Sequence, residues 1–182
     1  MYEAFKHELI RELAKSSTAK RNVWAHKILN ENISISSLLD LLLLDQPTAT
    51  RFSWMLGDLS SIDNRYTYEI IAYGFANLSK ISVPDIKRVI LKQCSLSEGN
   101  YPENLEGKVM SSAFEWLEDP QTSISTKEMA IKTLLALCKK HPEIAPEFKS
   151  TIQTLFPSKS KSLEKKMIRL LEVLERLNVE ID

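Results

Sequence analysis

The sequence predicts an all-α fold, a right-handed α-α superhelix of about five antiparallel helix pairs, and three observations predict it. Glycine is scarce, at four residues in 182, and no segment alternates apolar and polar residues between hairpin turns in the manner of a strand. The stretch Thr48-Ala49-Thr50-Arg51-Phe52-Ser53-Trp54 keeps the register of Thr18-Ala19-Lys20-Arg21-Asn22-Val23-Trp24, with Thr, Ala, Arg and Trp in matching places. Pro47, Pro84, Pro120 and Pro157 are separated by 37, 36 and 37 residues. A fixed period of this size marks stacked supersecondary units, none of which buries its apolar face alone.

The first pair opens with a helix over about 2–15, where Tyr2, Phe5, Leu9 and Leu13 form one stripe, and continues with a helix capped by Ser17 or Thr18 and running to about Asn30. Asn32 or Ser34 opens the second pair. Its Leu38-Leu39-Asp40-Leu41-Leu42-Leu43-Leu44 run is apolar almost all round, so the expected helix must be covered on several sides. Pro47 with Thr48 starts the partner helix, which reaches about Ser60 and buries Phe52, Met55, Leu56 and Leu59. The third pair has a helix over about 64–80, capped by Asp63, and one opened by Ser82 and Pro84 with Ile86, Val89, Ile90 and Cys94 facing inward.

Residues 95–103, with Gly99-Asn100 and Pro102, read as a loop and as the place for an insertion or mobile flap. A helix over about 104–118 then aligns Leu105, Val109, Ala113, Trp116 and Leu117. Asp119-Pro120 breaks it, and Ser125 or Thr126 caps a helix to about Lys140, with Glu128 in capping-box position after Ser125. After Pro142, Ile144, Phe148, Ile152 and Leu155 form a further stripe, and Pro157 ends it. The last helix, about 160–178, uses Leu163, Met167, Leu170, Leu171, Leu174 and Leu177. An offset of 37 places Ser125 on Ser162, Leu134 on Leu171 and Leu137 on Leu174, cap on cap and core on core.

The helix-pair spacing and apolar positions resemble HEAT and armadillo-like repeats over nearly the whole chain. The resemblance implies an α-solenoid in one domain over 1–182, used for protein binding through its concave side. The order of elements around Ala25 to Gly57 and Trp116 to Leu174 is also similar to small bacterial helical-repeat proteins sometimes labelled adenylosuccinate lyase. The Ser-Ser-x-Met-Pro-x-Lys-x-Asn segment that marks the lyase superfamily follows none of the Ser-Ser pairs here.

Hydrophobic content of 43% and charged content of 26% are those of a globular protein. Lys+Arg and Asp+Glu balance at 24 each, so the chain lacks the overall basic field of a nucleic-acid binder, and any basic surface must be local. The start has no signal-peptide pattern, and no run reaches the roughly 18 apolar residues that span a bilayer. Cys94 and Cys138 stand alone, without CxxC spacing, and read as buried, reduced thiols of a cytosolic protein. His7, His26 and His141 are scattered, with no HExxH, paired carboxylates, phosphate loop or nucleophile elbow nearby, so no catalytic residue, metal or cofactor is expected. The polar first helix, with Glu3, Lys6, Glu8, Arg11, Glu12 and Lys15, reads as a capping helix and favours a monomer.

Arg51, Trp54 and Asp58 are the sharpest candidates for binding. Trp54 lies about 200° round the helix from Phe52 and so points away from the packing stripe, with Arg51 one turn before it and Asp58 one turn after. One reading is a Trp-Arg-Asp patch for a protein partner, since Trp and Arg are favoured interface anchors. The other is a Trp packed on the neighbouring pair beside solvated charges. Trp54 with Asp58 also resembles HEAT-like alkylpurine DNA glycosylases, which implies an alternative as a DNA-binding protein or base-releasing enzyme; the missing net positive charge counts against it. The earlier copy, Arg21 and Trp24, has Ile28 where Asp58 would stand and reads as structural. The family resemblance implies that such an Arg serves packing or hydrogen bonding between repeats. Lys161, Lys165, Lys166 and Arg169 crowd the start of the last helix and form a candidate patch for an anionic partner.

Overall fold

The computed structural model describes residues 2–13, 15–101, 103–155 and 172. Its α-helices are α1 (Tyr2–Leu13), α2 (Thr18–Asn30), α3 (Gln46–Ile62), α4 (Thr67–Ala76), α5 (Pro84–Leu96), α6 (Glu103–Glu118), α7 (Ile124–Lys140) and α8 (Ala145–Leu155). Short 3-10 turns lie at Ile35–Ser37, Leu39–Leu43, Asn64–Tyr66, Leu78–Lys80 and Pro142–Ile144, and no strand occurs among the described residues.

Helix starts follow capping chemistry, in several places at a residue other than the one expected. The Ser17 hydroxyl accepts from the Lys20 N–H at 3.3 Å, as anticipated. Asp45 rather than Pro47 with Thr48 opens α3, its carboxylate accepting from the Thr48 N–H at 3.2 Å, and Pro47 sits in the first turn where a missing N–H costs nothing. Ser123, not Ser125 or Thr126, caps α7 by accepting from the Thr126 N–H, so Glu128 is not in capping-box position. Asp63 caps the 3-10 turn at Asn64–Tyr66 instead of α4. α4 stops at Ala76, short of residue 80, where the Asn77 amide donates to the Tyr73 carbonyl at 3.0 Å.

Two expectations are corrected. Residues 34–44 do not form an α-helix: they make two 3-10 turns, and the buried positions Ile35, Leu38 and Leu41, with Leu39 and Leu42 beside them, recur every three residues. That period matches three residues per turn, so the apolar run meets the core along one side while Asp40 and Leu44 stay exposed. The stretch 95–103 is no open flap either. α5 continues to Leu96, and the turn after it is tied down by Ser97 Oγ and buried Tyr101 OH, which both donate to the Cys94 carbonyl, at 2.7 and 2.8 Å. Glu98 and Gly99 turn the chain with φ of 52° and 83°.

The helices pair and stack as helical hairpins. α2, α3, α5 and α7 pack side by side in chain order and form one layer; α4, α6 and α8 pack successively in the other, which the 3-10 segment joins against α4. Buried apolar residues from Phe5 to Ile152 form one connected cluster between the layers. Polar links also cross between neighbouring repeats, as where buried Thr133 Oγ1 of α7 donates to the Leu91 carbonyl of α5 at 3.1 Å. The helix expected over 160–178, including Ser162, Leu171 and Leu174, lies outside the described residues, apart from Glu172.

Candidate interaction surface on the α2, α3 and α5 layer

Positions 51, 54 and 58 share a side of α3 by helical spacing, and that side lies at the seam where α2 and α5 flank α3. All three residues are half-buried. The Arg51 guanidinium carbon rests 4.7 Å from the Trp54 ring centre. A second guanidinium, from Arg21 of α2, lies 5.3 Å from the same ring centre. Arg21 is only 7% exposed; its Nε donates to Asp58 Oδ2 at 3.3 Å and its Nη2 to Thr18 Oγ1 at 3.1 Å. The candidate triad is therefore brought together, with a fourth member that links two repeats.

α5 adds a fifth member from the other side. Lys92 Nζ donates to the Gly57 carbonyl at 2.8 Å and to Ser61 Oγ at 3.1 Å. Burial holds the Lys92 ammonium below the usual lysine pKa; the Asp58 carboxylate opposes that shift and the neighbouring Arg88 guanidinium adds to it. Asp58 thus pairs with Arg21 and acts on Lys92, while Arg51 lies against Trp54 and Arg88 acts on Lys92 from one turn away on α5.

A family model for a HEAT repeat domain matches residues 5–173. The chain belongs to the HEAT repeat domain family. No curated protein and no solved structure matches it. Within this HEAT repeat chain, the Arg21–Asp58 ion pair joins α2 to α3 across positions 37 residues apart, close to the proline spacing, and so ties two neighbouring helices of one layer. Arg21 thus has the hydrogen-bonding role between repeats that the family resemblance implied, and its partner, Asp58, is what the contact adds.

The other copy behaves as expected: Trp24 is buried and meets Phe5 edge-on at 5.3 Å, with Lys27 Nζ 4.6 Å from its ring centre. Lys161, Lys165, Lys166 and Arg169 lie outside the described residues. At Trp54, the residue of the glycosylase-like alternative, two guanidiniums lie against the ring, and Asp58 is engaged by Arg21. His141 bridges Glu106 and Glu143, and Lys140 also pairs with Glu106, in a link between α6 and α7. Among the described residues no three His, Cys, Asp or Glu are grouped to hold a metal ion, and no helix is long and apolar enough to cross a membrane. Cys94 and Cys138 are buried, and burial pushes both thiols up, Cys138 to about 12, far from reactive thiolates.

Proposed function

We propose that this HEAT repeat chain is a non-enzymatic interaction module that docks a protein partner on the α2, α3 and α5 layer, with Arg51 and Trp54 at the centre of the contact. The observation that carries the reading is the Arg51 guanidinium held 4.7 Å from the ring centre of a half-buried tryptophan. Arginine and tryptophan dominate the energetics of protein interfaces, and a side chain already held against its neighbour loses less conformational freedom on binding. The cytosolic location and monomeric state expected from the sequence belong to this reading.

The reading is tested by affinity capture from lysate of the source cells with the full chain, its Arg51→Ala variant and its Trp54→Ala variant, with and without nuclease. Expected is a nuclease-resistant protein whose recovery falls about tenfold or more in each variant, a loss of roughly 1.4 kcal/mol or more. Circular dichroism should show both variants still helical. Equal recovery by all three proteins would remove Arg51 and Trp54 from the contact, and bound material that vanishes with nuclease would favour the nucleic-acid alternative.

A further inference from the structure

Charge is sorted between the two layers of a chain whose net charge is zero. In the layer that holds Trp54, α2 carries Lys20, Arg21 and Lys27 and no acidic residue, and α5 carries Lys87, Arg88 and Lys92 against Asp85. α7 continues the trend, with four lysines against Glu128. In the opposite layer α6 is reversed, with Lys108 against Glu103, Glu106, Glu115 and Glu118, while α4 has Glu69 alone and α8 balances Glu147 with Lys149. A balanced composition therefore conceals a basic face and an acidic helix opposite it, because stacking the second helix of each hairpin sums their charges along one side.

At the centre of the basic face the cations exceed the anions available to them. Asp58 is the one carboxylate of α3, and Arg21 already engages it. Arg88 stands one turn before Lys92 on α5 and acts on it as a like charge, while the ammonium of Lys92 is spent on the Gly57 carbonyl and Ser61. Arg51 lies against Trp54, and no carboxylate partner is recorded for it or for Arg88 among the described residues. A cation that is pre-positioned and lacks a counter-charge gains most from an incoming anion, and the planar guanidinium fork fits a carboxylate in two-point contact.

We infer that the segment of the partner that docks here is acidic, a run of aspartate and glutamate side chains received by Arg51 and Arg88 across the α3–α5 seam. The inference rests on the interaction reading above. Charge alone suits a nucleic acid as well as an acidic peptide, but single strands bind through open aromatic platforms, and the Trp54 ring is flanked by two guanidiniums.

The test is fluorescence anisotropy of the full chain with three labelled probes: decaglutamate, decaglutamine and a ten-nucleotide oligothymidine. Decaglutamate is expected to bind and decaglutamine not, with affinity falling about tenfold as salt rises from about 50 to about 300 mM. Arg51→Ala combined with Arg88→Ala should weaken decaglutamate by about tenfold or more, and Lys108→Ala on the opposite layer should leave it unchanged. Equal binding of the two peptides, an unaffected double variant, or tighter binding of oligothymidine through the same arginines would each overturn the inference. The two readings fail separately: a captured partner that is lost in Trp54→Ala yet ignores excess decaglutamate and the Arg88→Ala change leaves the module standing and removes the acidic segment.

Discussion

Arg21 shows how one side chain can serve the fold and the surface together. Only 7% of it is exposed, yet it forms an ion pair across a repeat boundary and supports the ring on which Arg51 rests. Arg21→Ala removes the ion pair, the hydrogen bond to Thr18 and the packing of the arginine stem on Trp54, and leaves Asp58 without its partner. Because Asp58 keeps 29% of its side chain in contact with solvent, the cost should fall short of that for a fully buried pair, at about 2 kcal/mol. Urea unfolding at neutral pH measures it, and an unchanged midpoint would show that the pair contributes nothing. The sequence places Arg51, Trp54 and Asp58 on one side of a helix through spacing alone. It did not assign Arg21 to that group, because an ion pair between residues on different helices has no local signature and depends on which helices lie side by side.

Glycines separate the effects that act within an element from those between elements. Gly74 of α4 faces α5, where a Cβ would stand 2.7 Å from Ile90 Cδ1 and 2.8 Å from Cγ1. Gly74→Ala should therefore force the two helices apart or Ile90 out of its rotamer, and cost about 1–3 kcal/mol despite the better helix propensity of alanine. Gly107 of α6 has nothing within 4 Å, and Gly107→Ala should stabilise by about 1 kcal/mol. Denaturant midpoints compared at equal slope test both, and the same sign for the two substitutions would contradict the packing argument. The 3-10 segment at 35–43 belongs to this scale too. Its leucines resemble a fully covered helix in sequence, and only the one-sided burial of Ile35, Leu38 and Leu41 selects the three-residue turn.

At the scale of the whole molecule, acidic groups that link helices, Glu12 and Glu106, and acidic groups that hold turns, Asp63 and Asp119, set the pH response. Glu12 is held below its ordinary pKa by Lys20, Asp63 by Arg65, Glu106 first by Lys140 and then by His141, and Asp119 by the Gln121 N–H and Thr122. A carboxyl group whose folded value is depressed binds fewer protons folded than unfolded. Its contribution is present above the ordinary values of 4.5 for Glu and 3.8 for Asp and is lost as pH falls through the lower folded values. Stability should therefore be level from about pH 8 to about pH 6 and decline below about pH 5, in small steps because these groups are near solvent. Chemical unfolding at about pH 7, 5 and 3.5 checks the sign, and greater stability at about pH 3.5 would refute it.

The sequence by itself determined the fold class and, for the described α-helices, their order and the stripes of residues that face the core, but not the 3-10 form of residues 35–43. Apolar spacing, proline positions and caps act over a few residues, so they can be read from a single chain, to within the small shifts seen at Asp45 and Ser123. Only the tertiary structure decided that Arg21 serves Asp58, that Lys92 reaches the Gly57 carbonyl, and that among the described residues basic side chains gather on α2, α5 and α7 and acidic ones on α6. Those outcomes depend on which helices come to lie side by side. Stacking of the repeats turns periodic positions along the chain into neighbours in space, and charges that cancel in the composition into faces that do not.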